Sequence, residues 1–301
     1  MREDLGIVIG VDRSPSSRRA LRWAAAEAEA RKLPLTVCHA WEWPYHEWPG
    51  EIVPLELARR PAARLLDLAA AWARRHHPGV PVNTVLERGT AAALLIDLSR
   101  TAGLVVVGSR GYRGLAGLLA GSVSAQVAAR VTCPVIVVRG QADPARDVVV
   151  GFDGSPAAMG ALRFAAHQAH LREVGLRVVV ARRDRGEEAG REDPQARAED
   201  RARDELVLLK RDHPGLEAEV ELVNEPAREA LTAAAEKASL LVVGPGGVVG
   251  QRGLGGSRGL VGSRKGGESR GVGGMRGLLL GSISQAMIHR APCPVAVVHR
   301  P

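Results

Sequence analysis

The sequence of 301 residues is poor in the features that build covalent scaffolds, metal sites and membrane spans. Its three cysteines, Cys38, Cys133 and Cys293, include no close CxxC pair, which argues against a disulfide framework and a structural zinc site. We expect each to be a small buried residue. No uninterrupted apolar run reaches about 18 residues, so no membrane span is predicted. The first residues lack the apolar core and cleavage site of a secretory signal, and we therefore expect a cytoplasmic protein.

The composition that remains is that of an ordinary globular protein, with 46% hydrophobic and 25% charged residues. The length suffices for two domains, each large enough to bury its own core. The net charge of +8 permits attraction to nucleotides, nucleic acid or anionic membranes. Such a charge bears on association and not on fold.

The chain contains an internal repeat. The segment Ile7–Pro15 (IVIGVDRSP) returns as Val148–Pro156 (VVVGFDGSP), and Cys133–Val135 (CPV) returns as Cys293–Val295. Repetition of this kind indicates two copies of one structural unit. We predict a first domain at residues 1–140 and a second at 146–301.

Each copy alternates short β-branched runs with longer helical patterns. Alternation of this kind predicts an α/β fold, in which each domain has an open five-stranded parallel sheet with helices on both faces. The strands predicted for the first copy are Ile7–Val11, Leu35–Ala40, Val82–Leu86, Leu104–Val107 and Val135–Val138.

A glycine-rich loop follows the fourth strand of the first copy. Gly108-Ser109-Arg110-Gly111 leave the strand, and after nine further residues Gly121-Ser122-Val123 open the next helix. Glycines let backbone N–H groups approach a phosphate closely, and a helix N-terminus adds further donors and a favourable dipole. A G-x2-G motif alone is weak, because many such loops are only turns.

The longer pattern is more specific. The spacing G-x2-G-x9-G-S, together with Gly10-x-Asp12 at the end of the first strand and Cys133-Pro134-Val135 before the last, resembles the ATP-binding class of the universal stress protein family. The resemblance covers nearly the whole chain, twice. It implies two tandem Rossmann-like domains of the adenine nucleotide alpha hydrolase-like type.

The resemblance also implies a ligand and its contacts. The ligand would be ATP, with or without Mg²⁺, and Asp12 would contact the nucleoside through its ribose. Main chain near Ala40 and Val107 would flank the adenine, although Ala40 stands where the family often has a larger aliphatic residue. The residues implied to hold the phosphates are Gly108, Gly111, Gly121, Ser122 and Val123. Two side chains have alternative roles: Arg110 adds charge to the phosphates or is a solvated loop arginine, and Ser122 binds phosphate or caps its helix.

The second copy interrupts this loop. Its fourth strand ends at Gly244, and the motif resumes at Ser269-Arg270-Gly271, nine residues before Gly281-Ser282. Residues 245–268 therefore form a predicted insertion, built from six-residue units that resemble the loop's own Ser-Arg-Gly. Glu268, three residues before Gly271, would repel phosphate. We predict that the second site, with Asp153, Gly244, Gly271, Gly281 and Ser282, binds ATP weakly or not at all.

The insertion has two interpretations. It is a tolerated surface loop produced by replication slippage, since lengthening a flexible loop costs little. Alternatively, it is an Arg/Gly segment that binds RNA or closes over phosphates. No aromatic residue interleaves its arginines, which favours the first interpretation, and nucleic acid is not an expected partner.

Three functions are compatible with the sequence. The first is a nucleotide-dependent regulator in the stress response, which is not an enzyme and hydrolyses ATP slowly or not at all. The absence of a Walker GxxxxGK[ST] motif and of a carboxylate cluster at the loop favours it. The alternatives are an ATP-hydrolysing or adenylyl-transferring enzyme, against which the lack of SGGxDS and HxGH motifs argues, and an RNA-associated protein. The resemblance further implies that the two domains pair within the chain and that a homodimer could form through the last strands.

Overall fold

The computed structural model describes residues 5–42, 54–111, 121–140, 143–182, 194–246 and 280–299. The first copy forms β1 (Ile7–Gly10), α1 (Pro15–Arg31), β2 (Leu35–Trp41), α2 (Leu55–His76), β3 (Val82–Arg88), α3 (Ala91–Leu98), β4 (Leu104–Gly108), α4 (Ser122–Arg130) and β5 (Val135–Val138). The second forms β6 (Val148–Gly151), α5 (Pro156–Arg172), β7 (Leu176–Arg182), α6 (Pro194–Asp212), β8 (Ala218–Pro226), α7 (Ala227–Ala235), β9 (Leu240–Val243), α8 (Ser282–Arg290) and β10 (Val295–Val297). The α/β alternation and the five strands predicted for the first copy are confirmed. Gly271 and most of the predicted insertion lie outside the described residues.

Local sequence explains where the repeated first helix of each copy begins and ends. Ser14 caps α1 by accepting a hydrogen bond from the backbone N–H of Ser17, and proline occupies the first helical position. The helix stops at Lys32, whose left-handed backbone donates to carbonyls of the last turn. Helix α5 has the same start at Ser155 and the same stop at Glu173.

The strands form one sheet of ten, in the order β3-β2-β1-β4-β5-β10-β9-β6-β7-β8. Each half is the parallel five-stranded sheet that the sequence predicts, and the two halves join where β5 and β10 pair antiparallel. Both edges of β5 and of β10 are thereby occupied within the chain. The homodimer that the resemblance implied stays a prediction, and it could not form by adding a strand to β5 or β10.

Two core layers lie on the two faces of this sheet. Successive side chains of β1 alternate between them, with Ile7 and Ile9 on one face and Val8 on the other. Helices α1, α2, α5 and α6 cover the first face, and α3, α4, α7 and α8 cover the second. All three cysteines are buried and unbridged, as expected. Burial raises the pKa of Cys38 to about 12, which keeps this thiol protonated and unreactive.

At the junction of β5 and β10, each half of the sheet also donates one side-chain hydrogen bond to the other half. Arg139, which follows β5, donates to the carbonyl of Ile288 near the C-terminus of α8. His299, which follows β10, donates through Nε2 to the carbonyl of Ala128 in α4 at 2.9 Å. His299 is buried, and its burial lowers its pKa from the ordinary value of 6.5 although the hydrogen bond to Ala128 acts in the other direction.

This histidine predicts an acid-sensitive junction. Below pH 6.5 His299 is protonated in the unfolded chain but stays neutral in the folded chain until the pH is lower. The free energy of unfolding therefore falls by at most about 1.4 kcal/mol per pH unit for this one histidine. We expect His299→Gln, which keeps a donor for Ala128, to show a smaller loss of thermal stability between pH 7.5 and 5.5 than the parent chain. Differential scanning calorimetry across this range measures it. An unchanged pH slope in the variant would assign the acid sensitivity elsewhere, and His167→Gln tests the other candidate, because burial also lowers the pKa of His167.

Among the helices of the described ranges, none combines the length and the hydrophobicity that a membrane crossing requires.

Candidate functional site

The candidate site lies where β1 and β4 end. These strands are parallel neighbours, and β1 lies between β2 and β4 in the sheet. The chain order of the strands reverses at this point, which is where open α/β sheets form a crevice for ligands. The residues that follow β1 and β4 therefore meet at one edge.

Asp12 is the first residue that this geometry positions. Its Oδ1 accepts a hydrogen bond from the backbone N–H of Ser14 at 2.8 Å, and its own backbone N–H donates to Ser17 Oγ at 2.9 Å. Its Oδ2 faces the loop, because a β-carbon added at Gly111 would lie 3.3 Å from it. The structure thus brings together the carboxylate and the loop glycine that the sequence singled out.

Three serines hold the loop on the start of α1. Ser14 Oγ donates to the carbonyl of Arg110 at 3.1 Å, and Ser16 Oγ accepts from the backbone N–H of Arg110 at 3.4 Å. Ser16 Oγ also lies 3.4 Å from Ser109 Oγ. The spacing of the loop glycines did not point to Ser14 or Ser16 as residues that hold the loop. A usable signal was present, since the first copy reads Ser-Pro-Ser-Ser where the second reads Ser-Pro-Ala-Ala.

Gly108 is required by close packing. A β-carbon at this position would lie 2.7 Å from Ser16 Oγ and 2.9 Å from the Ser16 carbonyl carbon. No other residue fits without moving α1 or the loop, so glycine sets how closely the loop follows the helix.

The N-terminus of α4 closes the other side of the loop. The backbone N–H of Gly121 donates to the carbonyl of Ser109 at 2.8 Å. Gly121 holds the N-cap position, and no side chain of the described residues caps the first turn from there. Ser122 is therefore the first residue of α4 and does not occupy the N-cap position. Ser122 is exposed and Val123 is half-buried, so the first turn presents its backbone N–H groups beside the loop.

The remaining predicted residues of the first site lie at the same edge. Ala40 in β2 is half-buried, and Val107 in β4 lies on the opposite side of β1. The neighbouring His39 donates through Nδ1 to the carbonyl of Val11 at 2.7 Å, which ties β2 to the residue after β1. Arg110 has an exposed side chain, and its charge contributes to lowering the pKa of Arg139, after the larger effect of burial.

The second domain keeps the carboxylate and the capping serine of this arrangement, as Asp153 and Ser155, and loses the equivalents of Ser16 and Ser109. Asp153 Oδ1 accepts from the backbone N–H of Ser155 at 3.0 Å, as Asp12 does from Ser14. Ala157 stands in the place of Ser16. The backbone N–H of Gly281 donates to the carbonyl of Pro245 at 2.7 Å, which is the contact that Ser109 makes in the first domain.

This equivalence differs from the predicted insertion boundary. Residues 245–268 were expected to be the insertion, yet Pro245 and Gly246 lie in the positions of Ser109 and Arg110. The correspondence between the two domains thus continues through Gly246, the second residue of the expected insertion. Spacing alone missed this, because deleting residues 247–270 leaves a glycine-rich loop of the same length as deleting residues 245–268.

The second loop also lies closer to its helix. A β-carbon at Gly281 would be 2.6 Å from the Gly246 α-carbon, whereas a β-carbon at Gly121 would be 3.5 Å from the Arg110 α-carbon. Pro245 has no backbone N–H, whereas that of Ser109 donates to the carbonyl of Val138 at 3.1 Å. Gly244 follows β9 and Ser282 begins α8, at the positions that the spacing predicts.

Carboxylate or histidine clusters are not part of this arrangement. Across the described segments, no three His, Cys, Asp or Glu side chains are grouped so as to hold a metal ion.

Comparison with known proteins identifies the relatives of this chain. The profile of the Universal stress protein family matches residues 6–139, 144–264 and 267–299. A universal stress protein of Mycobacterium tuberculosis is 31% identical over 97% of this chain and 96% of its own length. A second, from Mycolicibacterium smegmatis, is 35% identical over 58% of this chain and 62% of its own length.

Solved structures share the fold. The crystal structure of a universal stress protein from Archaeoglobus fulgidus DSM 4304 superimposes with a TM-score of 0.70 at 19% identity, covering 99% of this chain and all of that one. The resemblance seen in the phosphate-loop spacing is thereby confirmed: the chain belongs to the universal stress protein family, in its tandem two-domain form.

Proposed function

We propose that the first domain binds ATP and that the chain acts as a nucleotide-dependent regulator in the stress response, with slow or no hydrolysis. The observation that carries this proposal is the contact between the glycine loop and the N-terminus of α4, where Gly121 donates to Ser109. This contact places the loop directly beside the first turn of α4.

The phosphate group of a nucleotide fits this edge. Backbone N–H groups of the first turn of α4 have no side-chain acceptor at the N-cap, and the helix dipole favours an anion there. The serines that fix Arg110 from both sides hold the loop in place before a ligand arrives. A preorganised loop binds with less loss of conformational entropy.

The nucleoside has a natural position as well. Asp12 keeps one carboxylate oxygen on the Ser14 turn and directs the other toward Gly111, so it can accept hydrogen bonds from ribose hydroxyl groups. Ala40 and Val107 lie on either side of β1, where the adenine would be flanked by main chain. If Mg²⁺ accompanies the nucleotide, phosphate oxygens would supply most of its ligands.

We expect one strong ATP site per chain, in the first domain. We expect nucleotide released from the purified protein to be ATP at a ratio near one per chain, and added ATP to persist over hours. Chromatography of the released nucleotide and a phosphate-release assay measure these two quantities. Rapid multiple turnover would favour an enzyme instead, and failure to bind ATP at millimolar concentration would contradict the proposal.

Matched aspartate variants distinguish the two domains. Asp12→Asn keeps the acceptor for Ser14 but removes the charge, and we expect ATP affinity to fall roughly tenfold or more, as for loss of a charged hydrogen bond. Asp153→Asn makes the same change in the second domain and should alter the affinity less than twofold. Isothermal titration calorimetry gives both values. Equal losses in the two variants would mean that both domains bind.

A further inference from the structure

Helices α1 and α5 contact each other across the junction of the two domains. Equivalent positions of the repeat meet there, 141 residues apart, and Glu27 faces Gln168. The guanidinium of Arg31 lies 5.5 Å from the ring centre of Phe164, and that of Arg172 lies 5.2 Å from the ring of Trp23. The contact is thus nearly symmetric, with one aromatic ring and one arginine from each helix.

The symmetry is broken by a single charge. Glu27 is 3% exposed, and its Oε1 accepts from Arg31 Nε at 2.6 Å and from Gln168 Nε2 at 2.5 Å. Its Oε2 accepts from Arg172 Nη2 at 2.9 Å. Arg172 also donates to Gln168 Oε1. One carboxylate therefore serves two guanidinium groups and an amide.

The charge of Glu27 is stabilised in this position. Burial raises its pKa, but the guanidinium groups of Arg172 and Arg31, with the amide of Gln168, outweigh burial and hold the pKa below its ordinary value. The carboxylate stays ionised while the interface is closed.

Pairing of two identical domains, either two first domains or two second domains, could not reproduce this network. Two first domains would bring Glu27 against a second Glu27, and a carboxylate oxygen would replace the amide N–H that now lies 2.5 Å away. Two second domains would bring Gln168 against a second Gln168, with two copies of Arg172 and no carboxylate between them. Buried charges without matched partners are strongly destabilising, so each like pairing costs more than the unlike one.

We propose that Glu27 makes this interface selective for unlike domains, so that a first domain pairs with a second domain and not with another copy of itself. The inference does not depend on nucleotide binding. At the junction of β5 and β10 the two halves again differ in side-chain type, because the equivalent residues Arg139 and His299 donate to the equivalent carbonyls of Ile288 and Ala128. The partner that fits the α1 surface is therefore a helix with a neutral donor where α1 has its carboxylate.

Four full-length chains test this in one scaffold. The parent presents Glu against Gln, Gln168→Glu presents Glu against Glu, Glu27→Gln presents Gln against Gln, and the double variant presents Gln against Glu. We expect each single variant to lower the midpoint of thermal unfolding by about 5 °C at pH 7. The double variant exchanges the two groups across the pseudosymmetric contact and should recover most of that loss.

Glu29→Gln is the matched control. Glu29 lies on the same helix but pairs with His77 inside the first domain, at 2.9 Å. Combined with Gln168→Glu, it should give an additive effect with no recovery. If Gln168→Glu does not fold, a folded double variant still supports the proposal. The proposal would be overturned by a double variant that unfolds at no higher temperature than the less stable single variant. A Gln168→Glu chain as stable as the parent would also overturn it.

Discussion

Replacing Ser122 by aspartate is expected to weaken ATP binding on the order of 100-fold without unfolding the first domain. A loss of this size corresponds to the repulsion of a few close like charges near a protein surface. Ser122 is exposed at the first position of α4, directly after Gly121. A carboxylate there would occupy the helix N-terminus in place of the phosphates and would repel their negative charge. The same carboxylate is favourable for the isolated helix, because it complements the dipole.

The second domain supplies the control for this experiment. Ser282 is likewise exposed at the first position of α8. Ser282→Asp should leave ATP affinity within twofold of the parent, because the second loop lies too close to Gly281 for a strong site. Titration calorimetry gives both affinities, and thermal unfolding shows whether the variants stay folded. Unchanged affinity in Ser122→Asp would place the phosphates away from α4.

Gly140→Ala should be the most destabilising of the substitutions considered for the junction, by about 3 kcal/mol or more, which corresponds to roughly 10 °C in the unfolding midpoint. Gly140 follows β5 with φ of +61°, and a β-carbon there would lie 1.6 Å from the carbonyl oxygen of Pro292 in the second domain. The methyl group therefore forces the two halves of the sheet apart.

Gly215→Ala separates this clash from backbone strain. Gly215 has φ of +84° but nothing within 4 Å of an added β-carbon. It should lose only about 1 kcal/mol, the cost of alanine in a left-handed conformation. Scanning calorimetry of both variants measures the difference. Equal losses would show that the packing against Pro292 contributes little.

Local patterns in the sequence determined much of this protein. The repeat of Ile7–Pro15, the alternation of strands and helices, and the burial of the cysteines all follow from periodicity and composition. The G-x2-G-x9-G-S spacing also located the loop, because a strand, a glycine turn and a helix start are consecutive in the chain. These features depend on neighbours in sequence, whose side chains and backbone set them directly.

Tertiary structure alone decided the contacts between distant segments. Spacing did not reveal that Pro245 replaces Ser109, or that Ser16 holds the loop from 93 residues away. Nor did it reveal that Glu27 meets Gln168, 141 residues later, or that β5 and β10 join the two domains into one sheet. Such pairings depend on which faces and edges the fold brings together. The local sequence pattern of a segment does not identify the distant segment that it contacts.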